Sequence, residues 1–95
     1  MENFKKFQDL SFEFFSDIYL HGKRARMLFP NGYGVSVISH NYSYGGKDGL
    51  YEIGVLDTAG DLCYDTPVTN DVIGWLSEDD VSRVMREVQE LPSAS

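Results

Sequence analysis

The sequence predicts an α+β fold: a mainly antiparallel sheet of four to five strands, one C-terminal amphipathic helix at about 77–91 packed on one face, and a short N-terminal helix. Three features carry that expectation. Apolar and polar residues alternate with a period of two through the middle of the chain. Glycine-rich punctuation interrupts the alternation at intervals, as turns between strands do. A stripe with helical spacing appears after Ser77 and runs to Leu91.

Taken in order, Phe4, Phe7 and Leu10 recur every three residues with polar residues between them, which predicts one or two turns of helix. Phe12 and Phe14 then alternate with Glu13, the start of a first strand. His21-Gly22-Lys23 reads as a turn, after which Ala25, Met27 and Phe29 alternate with Arg24, Arg26 and Leu28 in a second strand. Pro30-Asn31-Gly32 breaks the chain again. Beyond it Val35 and Val37 face one way and Ser36 and Ile38 the other, in a stretch rich in β-branched residues.

Residues 44–49, YGGKDG, predict a turn into a strand with Tyr51, Ile53 and Val55 on its buried face. Asp57-Thr58-Ala59-Gly60 has the composition of a type I turn with Gly60 in the left-handed position. Asp61–Asp65 is expected to return as the next strand, which Pro67 stops. Residues 68–76 fit either a short strand or a buried loop, with Trp75 and Leu76 expected to staple the start of the helix. Ser77 is an N-cap hydroxyl followed by Glu78, Asp79 and Asp80, where the helix dipole favours anions. The stripe Val81, Val84, Met85, Val88 and Leu91 is the expected core face. Residues 1–91 read as a single domain and 92–95 as a disordered tail.

A composition of 42% hydrophobic and 24% charged residues is that of a folding chain. The net charge of -7 is unevenly placed. Residues 1–47 hold six Lys and Arg against four acids, a balance of +2, whereas residues 48–95 hold eleven acids against Arg83 and Arg86, a balance of -9. An acidic surface repels phosphate backbones, so a basic protein is the expected partner and nucleic acid is not. The single cysteine, Cys63, cannot form an internal disulfide, which fits a cytoplasm. No apolar run of about 18 residues predicts a membrane span.

Catalytic and ligand motifs are incomplete. Gly-Gly-Lys at 45–47 lacks the P-loop spacing and the hydroxyl after Lys47, and it precedes a strand rather than a helix. Asp57-Thr58-Ala59-Gly60 resembles a GTPase motif that has no meaning without a P-loop, and Ala59 breaks the aspartic protease triplet. His21, His40 and Cys63 have no metal-ligand spacing, and Asp57, Asp61 and Asp65 lack the pattern of a calcium loop. No cofactor, metal or catalytic residue is expected. What remains is surface: Tyr33, Tyr42, Tyr44, Tyr51 and Tyr64 lie in or beside the hairpins, either as contact residues or as cover for the sheet. Tyr42, Tyr44, Asp57, Asp61, Asp65, Glu78, Asp79 and Asp80 are the candidate partner-binding residues.

The stretches FPNGYGVSVISHNYSYGGKDGLYEIGVL and DVIGWLSEDDVSRVMREVQEL resemble a group of short bacteriophage- and prophage-encoded proteins that have no assigned catalytic residue. The similarity spans roughly residues 27 to 91, and the first 26 depart from it. It implies expression in the cytoplasm of an infected bacterium. Small acidic phage proteins often act by binding host proteins, and with the motifs incomplete the expected function is non-enzymatic: binding and inhibiting a host protein, such as a CRISPR effector or another nucleic-acid-binding defence factor. An accessory phage protein that assembles as an oligomer, with a homodimer as its simplest form, is the alternative expectation.

Overall fold

Five antiparallel strands and one helix make up the computed structural model, which describes residues 4–41, 48–63, 66–68 and 72–93. A 3-10 turn at Phe7–Asp9 is followed by β1 (Glu13–Ser16), β2 (His21–Leu28), β3 (Gly34–His40), β4 (Tyr51–Leu56), β5 (Ile73–Leu76) and α1 (Glu78–Gln89). The strands lie in the sheet in chain order, so every strand pairs with its sequence neighbour. This is the predicted α+β architecture.

Directly opposed residues of antiparallel strands share a face, and the register therefore sorts the sheet into two sides. Val37 faces Ala25 on one flank and Ile53 on the other, and Val35 sits likewise between Met27 and Val55. That side is the core. The helix contributes Val81, Val84, Met85 and Val88 to it, while Phe7, Leu10 and Phe12 close one end. Each of the fully buried valine, isoleucine and methionine side chains gains about 1.5–3 kcal/mol from leaving water. The second side carries Arg24, Arg26, Leu28, Ser36 and Ile38. Over β4 even this side is covered: Leu56 and Gly54 are buried, and Leu62 and Val72 pack where a side chain at Gly54 would stand.

The helix begins as the sequence predicts. Ser77 Oγ accepts from the Asp80 backbone N–H and Asp80 Oδ2 accepts from the Ser77 N–H, both at 3.1 Å, a reciprocal capping box with Asp in the place usually held by Glu. Leu76, preceding the cap, and Val81, four residues into the helix, both enter the core cluster, so Leu76 makes the staple. Trp75 does not take part, because it is 60% exposed. The Asp57 turn also matches its prediction: Gly60 has φ 83°, and its N–H donates to Asp57 O at 2.9 Å.

Two expectations are corrected. The first hairpin turns at residues 17–20 rather than at His21–Lys23, which lie inside β2. Asp17 makes that turn with its side chain, Oδ1 accepting from the N–H groups of Tyr19 at 2.8 Å and Leu20 at 2.7 Å. Gly22 is needed for closeness instead, since a Cβ there would stand 2.6 Å from His40 Cα across the ladder. The second correction concerns the strand expected over Asp61–Asp65. Of its described residues, 61–63, Leu62 makes one bridge to Leu56, and the paired fifth strand is Ile73–Leu76.

Candidate functional site

The candidate acids fall into two groups at opposite ends of β4. Asp57 and Asp61 follow its C-terminal end, whereas Leu76, paired with Tyr51 at its N-terminal end, leads into Glu78, Asp79 and Asp80. A six-residue strand separates them by about 17 Å. Several of these acids already hold the backbone. Asp57 Oδ1 accepts from Ala59 N at 2.9 Å and Asp61 N at 3.0 Å, and Asp80 closes the capping box. Bonds from the Ser77 backbone and hydroxyl hold the Asp80 carboxyl below its ordinary range. Glu78, Asp79 and Asp61 are exposed. Tyr42, Tyr44 and Asp65 lie outside the described residues, as does Tyr64. Of the remaining tyrosines in the hairpins, Tyr51 is in the core and Tyr33 packs against it.

Next to Glu78 and Asp79 the sequence reading missed Trp75. Between the pairs Tyr51–Leu76 and Ile53–Ile73, β4 has one residue, Glu52, and β5 has two, Gly74 and Trp75. The extra residue makes a β-bulge, and it puts Trp75 at φ 61°, the one non-glycine at positive φ among the described residues. A bulky side chain in the left-handed region costs about 1–3 kcal/mol. The bulge turns a large aromatic out at the edge of the sheet, across from Glu52 and three residues before Glu78. A Gly-Trp pair just before an N-cap is the trace of this in the sequence, but its meaning depends on a register that the sequence does not print.

Elsewhere the surface offers less chemistry. A groove of about 420 Å³ between the N-terminal segment and α1 is lined by Lys5, Lys6, Arg83 and Arg86. Its arginines are already balanced, with Arg83 at 3.5 Å from Asp80 and Arg86 at 3.7 Å from Glu90, and Asp79 lines the same groove. Among the described residues no three His, Cys, Asp or Glu side chains converge on a point that would hold a metal ion. No described helix is long and apolar enough to cross a membrane. At the far edge of the sheet from Trp75, Phe14, Ile18 and Tyr19 are 80%, 90% and 75% exposed. In comparisons with protein-family models, curated proteins and solved structures, nothing matches the chain.

Proposed function

We propose that this chain is a non-catalytic phage protein that binds and inhibits a host protein, and that it does so through Trp75 together with Glu52, which lies opposite its bulge, and Glu78 and Asp79, which follow it in the chain. The observation that supports this reading is the strained, outward Trp75: backbone strain of this kind persists where the surroundings enforce it, and it gathers at binding and switching sites. Tryptophan is the residue type most enriched among interface hot spots. Carboxylates around an exposed indole favour an arginine or lysine, which can stack on the ring while its charge meets the acids. A protein with a basic nucleic-acid groove presents such side chains, which is why a defence factor such as a CRISPR effector suits the resemblance and the charge together. The net charge of -7 speeds the approach to such a groove.

Affinity capture from a lysate of the bacterial host tests the proposal. The native chain should retain a partner that Trp75→Ala loses, that the Glu78→Lys, Asp79→Lys double variant loses, and that added salt releases. The captured protein, purified, should change the emission of Trp75, the only tryptophan in the chain. A partner held equally by all three proteins would overturn the assignment of this surface.

A further inference from the structure

We infer that β1 is a self-pairing edge: two copies of this chain join antiparallel through β1, about a two-fold axis at Phe14, into one continuous sheet. The sheet has two edge strands, and only one is protected. β5 carries the bulge and the positive φ of Trp75, which break its outward ladder. β1 has neither device, and its sequence Glu-Phe-Phe-Ser contains no proline or lysine to discourage pairing.

The backbone of β1 is set for a two-fold. Asp17 N–H donates to Leu20 O at 2.8 Å, which makes Asp17 an inward, hydrogen-bonded position. By alternation Phe15 and Glu13 also bond to β2, so the N–H and C=O groups of Phe12, Phe14 and Ser16 point outward. A two-fold axis normal to the sheet pairs one residue with itself, and an outward residue placed there exchanges both of its backbone hydrogen bonds with its own copy. Phe14 on the axis does so and sets Phe12 against Ser16 of the second copy, for about six new backbone hydrogen bonds.

The side chains agree with that register on both faces. Lys23, opposite Phe14, bends its ammonium over the rings of Phe12 and Tyr51 at 5.0 and 5.2 Å, leaving Phe14 bare to meet its own copy. On the other face Glu13 comes opposite Phe15 of the second copy. That Phe15 ring carries the Arg24 guanidinium at 5.5 Å, so a carboxylate meets a cation twice across the axis. It is this charge match that names a second copy as the occupant rather than an unrelated strand. The approach also brings together the halves with a balance of +2 and keeps the acidic halves apart.

Sedimentation or light scattering over a concentration series tests this. The native chain should dimerise, and Phe14→Asp, which sets two carboxylates on the axis, should raise the dissociation constant at least about tenfold, as should Glu13→Arg or Arg24→Glu alone. Mixing the Glu13→Arg and Arg24→Glu proteins should restore the dimer as a heterodimer. Each single variant still has like charges at 13 and 24 within its own chain, so only pairing between copies can produce that rescue. A native chain that stays monomeric into the millimolar range, a dimer indifferent to Phe14→Asp, or no recovery on mixing would each overturn the inference. Trp75→Ala leaves the dimer intact, because β5 is the opposite edge, and the two proposals therefore fail separately.

Discussion

Asp17 and Asp80 do the same work at two points of the chain: each is a carboxylate whose acceptors replace missing backbone partners. Asp17 takes the N–H groups of Leu20 and Tyr19, Asp80 takes that of Ser77, and both carboxyls lie below their ordinary value of 3.8 for that reason. The unfolded chain offers no such donors, so as pH falls it takes up protons first. The stabilisation from these two groups is therefore complete above the unfolded value and drains away as pH drops below 3.8 towards the folded values. Both are open to solvent, which keeps the slope shallow. Asp80→Asn should lower the thermal midpoint at neutral pH, and its curve should converge with that of the native chain in strong acid. A constant offset between the two curves from neutral pH down to strong acid would show that the carboxylate's charge is not what the cap uses.

Elements with a clear period were legible in the sequence, and those set by contacts from elsewhere were not. The helix stripe, the Val35–Val37 strand and the Asp57–Gly60 turn follow from local spacing and glycine chemistry, and they stand where expected. Gly22 was misread because a glycine can serve either a turn or a close backbone approach, and only the position of His40 tells them apart. Trp75 was misread because its exposure follows from a bulge against Glu52. Asn31 shows the same limit. As a sequence it belongs to a Pro-Asn-Gly turn, yet its Nδ2 donates to Val88 O at 2.9 Å, Gln89 O at 3.4 Å and Leu91 O at 3.1 Å, closing the end of a helix 57 residues away. Helices leave their last carbonyls without partners, and here a strand turn supplies the donor. Asn31→Ala should cost about 1 kcal/mol, roughly 4–8 °C in thermal midpoint for a domain of this size. Asn31→Asp should cost more, because a carboxylate would face three carbonyls at the negative end of the helix dipole. An Asp variant as stable as the native chain would show that the side chain does not cap α1.

At the scale of the whole molecule, charge acts in opposite directions on folding and on binding. The two ion pairs between described residues, Arg83–Asp80 and Arg86–Glu90, are exposed and lie within one helix, each worth a few tenths of a kcal/mol. Against them stands the mutual repulsion of a chain with net charge -7, eleven of whose fifteen acids lie in its second half. Salt shortens the reach of that repulsion from about 10 Å at 0.1 M to about 3 Å at 1 M. Added sodium chloride should therefore raise the thermal midpoint, by about 2–4 °C if roughly 0.5 kcal/mol of repulsion is screened. The same salt should weaken the proposed capture of a basic partner at Trp75, where opposite charges would attract. Thermal unfolding followed by circular dichroism and a partner titration followed by Trp75 emission, run over one salt series, separate the two effects. Trp75 is already 60% exposed, so its emission should change little on unfolding and serve chiefly as a report of contact. A midpoint that falls with salt would mean that attraction between charges, rather than the apolar core under α1, carries the fold.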